Sequence, residues 1–335
     1  MTQFRNFPYF RPAVIAFGCS ALIFGLGVAR AQQGSAPNQD ISVLHVQGNV
    51  YMLSGAGGNI AIQTGKDGVL LVDTGLAQNA DRVLQEVKKL SNRPIRYIIN
   101  THVQADHIGG NEKIGAAGRA VVGGNFARDI GDDGRANIVA HENVQTRMSA
   151  PGAGQAPIPS NAWPSDTYFN NLKKMYFNGE GIELMHIANA HTDGDSLVYF
   201  RGSDVIAAGD VFVTTSFPVI DLERGGNIQG ILDALNRIIE VSIPADRQEG
   251  GTYIIPGHGR IVDQSDIVEY RDMTTIIRDR IADLVKKGKT LAEVQASNPT
   301  FDYDPLYGKP GVRWTKTQFV EAVYKSLNSA TDAKK

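Results

Sequence analysis

A chain of 335 residues with 33 basic and 35 acidic side chains has a formal net charge of −2, and it contains no basic block or aromatic-basic stripe; no nucleic-acid partner is expected. Its one cysteine, Cys19, excludes a disulfide framework. Some 42% of the residues are hydrophobic, and a chain of roughly 300 folded residues can bury a sizeable core.

At the N-terminus, Arg5 and Arg11 precede an apolar run from Ala13 to Val28, closed by the small-x-small site Ala29-Arg30-Ala31. That is the layout of a secretory signal peptide over residues 1–31, cleaved after Ala31 and followed by a polar leader over 32–40. The run is shorter than the roughly 20 residues that a bilayer span requires, so no membrane association is expected after cleavage. Cleavage removes Cys19, Arg5, Arg11 and Arg30, leaving 30 basic against 35 acidic residues, net −5, in a periplasmic or secreted protein. A thiolate ligand and a cysteine nucleophile are thereby excluded.

From Ile41 to Asp73 strands follow one another (ISVLHVQ, VYMLSG, NIAIQTG, GVLLVDTG), punctuated by Gly and Asn as in a meander. In AQNADRVLQEVKKL the residues Ala80, Val83, Leu84, Val87 and Leu90 recur at helical spacing, which predicts an amphipathic helix. PIRYIINTH reads as a strand. A second round predicts short helices over 111–147, with His141 on one of them, then strands near 181–187, 196–200 and 204–209. A helix near 228–241 and a strand at 252–256 follow. The Gly- and Pro-rich stretch 149–164 predicts an extended loop, either a connector or a flap over a cleft. From Asp266 onward the pattern is helical. These elements suggest one α/β sandwich over 41–265 with a helical C-terminal extension over 266–335.

Chemistry concentrates at four strand ends. THVQADHIGG places His102, Asp106 and His107 directly after a buried strand; if the loop stays extended, positions 102, 104 and 106 fall on one side. HTDGDS offers His191, VIAAGDVF ends in Asp210, and YIIPGHG ends in His258. Each repeats one pattern: an apolar strand, a small residue, then a ligand-type side chain at a tight turn. A dinuclear hydrolase needs such imidazoles and carboxylates around two cations, which lower the pKa of a shared water and polarise the scissile group. No G-x-S-x-G elbow supports a serine nucleophile.

The chain resembles the metallo-β-lactamase superfamily. LLVDTG (70–75), THVQADHIGGN (101–111), AHTDGDS (190–196), AAGDVF (207–212) and PGHG (256–259) stand in that family's order. The resemblance implies a four-layered αββα sandwich with two zinc ions at one sheet edge. It assigns one metal to His102, position 104 and His191, the other to Asp106, His107 and His258, with Asp210 bridging. It also gives Asp106 a catalytic role, orienting the hydroxide and passing a proton to the leaving group, and makes Asp73 a structural carboxylate beneath the site.

The departure is Gln104, where a third histidine would complete the set. An amide oxygen is a poorer zinc ligand than imidazole. Gln104 either ligates through its carbonyl, bonds to a metal-bound water, or leaves the first site weak. His141, Arg224, Trp163 and Phe217 are candidates to touch a small-molecule substrate, against the plainer readings of packing, capping or solvation. His45 and His186 read as packed residues. The expectation is an exported zinc-dependent hydrolase in which a metal-activated hydroxide attacks an activated carbonyl, with a β-lactam or related cyclic amide or ester as substrate. A thioesterase like glyoxalase II, a lactonase, and a non-catalytic metal-binding protein are the alternatives.

Overall fold

Period-two burial along the strands sets the layers. The computed structural model describes residues 40–120, 134–150, 156–248, 250–312 and 314–332; the expected signal peptide and most of the polar leader lie outside them. A seven-stranded sheet runs in chain order: β1 (Ser42–Gln47), β2 (Val50–Ser54), β3 (Ile60–Gly65), β4 (Gly68–Val72), β5 (Ile95–Ile99), β6 (Asn137–His141) and β7 (Asp166–Tyr168). It is antiparallel up to β4 and parallel from β4 to β7. The second sheet comprises β8 (Leu172–Phe177), β9 (Glu180–His186), β10 (Ser196–Phe200), β11 (Val205–Gly209) and β12 (Tyr253–Pro256), ordered β12-β11-β10-β9-β8. Here only β11 and β12 pair in parallel.

Alternate residues of both sheets share one buried cluster: Val50, Met52, Leu70, Val72 and Ile99 from the first, Val198, Phe200, Val205, Ala207 and Ile255 from the second. Their neighbours in sequence face outward. Leu53, Ile60, Val69, Leu71 and Ile98 pack with Ala80, Val83 and Val87 of α1 (Ala80–Leu90) and Ile114 of α3 (Asn111–Ala117). Leu197, Ile206, Ala208 and Ile254 pack under α5 (Ile228–Val241) and α6 (Gln264–Lys286). Strands apolar on both faces require cover on both, and the result is the expected αββα sandwich.

The C-terminal helices belong to the same outer layer. Ile267, Tyr270, Met273, Ile277 and Ile281 of α6 share a core with Phe319, Val320, Ala322 and Val323 of α9 (Lys316–Asp332), and with Val294 of α7 (Leu291–Ala296). Asp263 and Asp266 form a capping box that starts α6, and Thr290 with Glu293 does the same for α7. Among the described residues no helix is long and apolar enough to cross a membrane.

Three local expectations change. His141 is not on a helix: NIVAH is a central parallel strand, and His141 is its last residue and the N-cap of α4 (Glu142–Ser149), accepting from Asn143 N. The 102–107 loop does not stay extended, because the Gln104 carbonyl accepts from His107 N and Ile108 N and closes the helical turn α2 (Ala105–Ile108). Strands β7 and β8 were not anticipated; one is three residues long, and the other exposes Leu172, Lys174 and Tyr176 at a sheet edge.

Candidate metal centre

β4 and β5 pair in parallel in the first sheet, and in the second β11 and β12 do so while β9, antiparallel to the intervening β10, runs the same way; the segments after these five strands meet at one edge of the sandwich. Each delivers a residue to a buried cluster. His102, His107 and His191 are fully buried, Asp210 is 3% and Asp106 7% exposed, and His258 is half-buried. Asp210 stands in the middle and its two oxygens face different partners. Oδ2 lies 3.8 Å from His102 Nε2 and 3.9 Å from His191 Nε2. Oδ1 lies 3.2 Å from His107 Nε2 and 3.5 Å from His258 Nε2. Asp106 Oδ2 closes the second group at 3.3 Å from His258 Nε2. Donor atoms about 3.3 Å apart are what a tetrahedral zinc with bonds of about 2.0–2.1 Å imposes.

Four imidazole nitrogens, Nε2 of His102, His107, His191 and His258, and Asp210 Oδ1 are buried without a hydrogen-bond partner. Buried polar atoms are otherwise paired almost without exception, so such a cluster is costly unless a cation fills it. Hydrogen bonds on the far side of the rings point the same way. Thr101 donates its hydroxyl proton to Asp73 Oδ2 at 2.7 Å, so its oxygen accepts from His102 Nδ1 at 2.9 Å. His107 Nδ1 donates to Asp73 Oδ2 at 2.7 Å, and His191 Nδ1 to the Val219 carbonyl at 3.0 Å. In all three rings Nδ1 is the nitrogen engaged on the side away from the cluster, so Nε2 is the nitrogen presented to it, as a ligating imidazole requires. The donor set fits a pair of divalent cations.

Asp73 also lies within ligand distance of His102 and His107, but both of its oxygens are engaged by Thr101 and His107. It orients ligands rather than ligating. Its positive φ of 66° is held by these bonds, which explains a carboxylate residue in a left-handed turn.

Electrostatics follow burial and the Asp210 position. Burial, then His107, hold His102 well below the usual histidine pKa, so it stays neutral. Burial opposes charge on His107 too, but Asp210 and Asp73 on either side outweigh it and hold its pKa well above normal. Burial likewise opposes the Asp210 charge, and His107 and His258 overcome it. A cation entering this site would take the place of the His107 proton.

Close backbone approach makes the cluster possible. A Cβ at Gly58 would overlap the His107 ring, and one at Gly257 would overlap Asp210 Oδ1. Asn59 donates to the Pro256 and Gly259 carbonyls at 2.9 and 3.0 Å and so fixes the turn carrying His258. Thr74, Asn100 and Asn111 form a closed buried network at the base of the His102 loop. Asp195, fully buried, accepts from Thr192 N and Oγ1, which shapes the turn after His191; burial pushes its pKa up to about 6. None of these bracing roles is visible in spacing alone, although Thr74, Asn111 and Asp195 fall inside the motifs.

The cluster opens into a cavity of 610 Å³ whose floor includes Gln104, Asp210 and His258. Gln104 is the N-cap of α2 and half-buried. Arg224 reaches the cavity but is paired with Asp221 at 2.6 Å. The other substrate candidates are placed elsewhere. Phe217 is fully buried and stacks on Phe319, with centroids 5.1 Å apart. Trp163 donates to the Ile158 carbonyl and packs near Ala140, Val144 and Met148. His141 stacks on His186 at 3.6 Å, outside the cavity lining. His45, expected to be packed, is instead exposed on β1, where its ring bonds the Gly48 carbonyl of the following turn.

The sequence model of the metallo-β-lactamase superfamily matches residues 53–258, which contain every residue of the cluster. The chain belongs to this superfamily. Over 267 residues it is 23% identical to a linear primary-alkylsulfatase from a Pseudomonas species, covering 68% of this chain and 47% of that protein. Among solved structures it resembles a stereoselective inverting sec-alkylsulfatase from Pseudomonas sp., with TM-score 0.61 and 17% identity over 85% of this chain and 50% of that one. It also resembles a metallo-β-lactamase from Pontibacter korlensis, with TM-score 0.50 and 17% identity over 70% of this chain and 99% of that one. The chain thus spans about half the length of the alkylsulfatases it matches.

Proposed function

We propose that the protein is an exported, zinc-dependent hydrolase of small-molecule esters, with a sulfate ester as the first substrate class. The observation that carries the reading is the division of the buried donors into two groups sharing Asp210, one with His102 and His191, the other with Asp106, His107 and His258. Bound there, two zinc ions would lower the pKa of a water and polarise the ester.

The chain's own residues supply the rest. Asp210 keeps its charge in the buried site and spans both groups, so it sets their separation. Asp106, beside His258, is the carboxylate positioned to hold the water's proton and return it to the leaving oxygen. Gln104 adds a neutral amide at the cavity floor, so the His102 side carries less donor strength than the His107 side. Export rests on residues 1–31 as read from sequence.

Sulfate-ester chemistry is favoured by the alkylsulfatase relatives, and the β-lactam expectation by the structural likeness to metallo-β-lactamases alone. A panel of alkyl sulfate, cephalosporin, lactone and acyl-thioester, run with and without chelator, separates them. Chelator-sensitive turnover is expected, highest for the sulfate ester. Preferential cephalosporin or thioester turnover would move the substrate assignment, and chelator-insensitive turnover would overturn the mechanism.

A further inference from the structure

The cavity above the cluster is not walled by the sandwich alone. One side is the segment after β11, with Val219, Ile220 and Leu222; the other comes from the C-terminal extension, with Val312 and Trp314 in the connection before α9 and Ala322 on α9 itself. The two walls are locked together. Phe217 stacks on Phe319 of α9, and Tyr270 of α6 donates its hydroxyl to the Ser216 carbonyl at 3.0 Å. The position of the first wall is therefore set by the tail.

The two cations that line this cavity are neutralised locally. Arg224 pairs with Asp221, and Lys325 with Glu321, each at 2.6 Å. Such cations attract a second anionic group on a ligand weakly, because each already has a counter-ion. The apolar side chains between them lose little by facing a hydrocarbon, and a cavity of 610 Å³ falls in the range of small-molecule sites.

We propose that Trp314, Ala322 and Leu222 form a slot for an uncharged hydrocarbon limb on the leaving-group side of the substrate, so that the helical tail determines which esters are accepted. The assignment rests on the reading of the Asp210 cluster as the reacting end. Limb binding itself needs no metal.

The test uses the full chain stripped of metal, with 1-octanol and ethanol as neutral probes. The sequence contains two tryptophans, Trp163 and Trp314, so in a Trp163→Phe background the emission reports Trp314. Octanol is expected to produce a saturable emission change, and ethanol none. Leu222→Asp, at a position 36% exposed, and Ala322→Phe should each weaken octanol binding by about tenfold or more, with the circular dichroism of each variant checked against the parent. In the zinc-loaded protein the ratio of kcat/KM for octyl over methyl esters should fall in parallel. No saturable change with octanol, or an affinity unaltered in folded Leu222→Asp, overturns the slot. Absence of chelator-sensitive turnover of any ester, with octanol binding intact, overturns the hydrolase reading instead.

Discussion

At the residue scale, Asp73 does work that its distance from the reacting atoms conceals. By engaging Thr101 and His107 it fixes two imidazole tautomers at once. Asp73→Asn replaces one acceptor oxygen with a donor that faces other donors, so zinc affinity should drop about 10–100-fold in competition with a chromophoric chelator. An unchanged affinity would show that the rings need no such support. Gln104→His has the opposite sign: zinc held beside His102 and His191 should bind about tenfold tighter or more, read in the same assay. The stacked pair His141 and His186 gives a pH effect away from the metal. Burial, then His186, lower the His141 pKa from 6.5 to about 4, so between these values the unfolded chain binds the proton preferentially. Stability that is full above pH 6.5 is lost as pH falls toward 4. Asp195 acts oppositely: its pKa is raised from 3.8 to about 6, so its contribution is lost as pH rises through that window. His141→Asn keeps an N-cap acceptor for Asn143 N while removing the titration. Metal-free His141→Asn should therefore gain stability relative to wild type as pH falls from 6.5 towards 4 in denaturant melts; a stability difference that does not change with pH would contradict this account.

Among the elements, α9 shows most clearly what a sequence pattern withholds. Its helical character is legible from the spacing of Phe319, Val320 and Val323, but the spacing names no partner. The partners, α5, α6 and α7, become evident only in three dimensions, and with them the tail's place along the cavity wall. Phe319, Val320 and Val323 are nearly inaccessible, and burying each such side chain stabilises by about 1.5–3 kcal/mol. Domains have net stabilities of only about 5–15 kcal/mol. A chain ending at Thr315 should therefore lose its cooperative thermal transition by circular dichroism; an unchanged melt would show that the tail is dispensable. Strand β6 was obscured for a different reason. NIVAH passes into α4 without a spacer, so a helical period read across 137–147 absorbs the strand. Strands β4 and β11 were easier to read because each is a short apolar run ended by a tight turn. The closing turn of α2 was not legible, since it depends on backbone bonds to the Gln104 carbonyl rather than on side-chain pattern.

For the whole molecule, the sandwich and the metal centre have one origin. Strands apolar on both faces must be covered on both, and in the resulting sandwich the ends of β4 and β5 in one sheet meet those of β9, β11 and β12 in the other at one edge. Motifs more than 150 residues apart in sequence meet there because the sheets place them there: His102 and His258 both lie within 4 Å of Asp210. The order of the motifs already pointed to this fold and to these ligand-type residues. The substrate was not legible, because the cavity beside the cluster is completed by Trp314 and α9, beyond the family's matched region. The central claim is that Asp210 joins two metal sites. Elemental analysis of protein dialysed against zinc tests it most directly, with Asp210→Asn in parallel. The account predicts about two zinc ions per wild-type chain and about one or fewer in the variant. Wild-type protein that retains no metal, or a variant that retains as much as wild type, would contradict it.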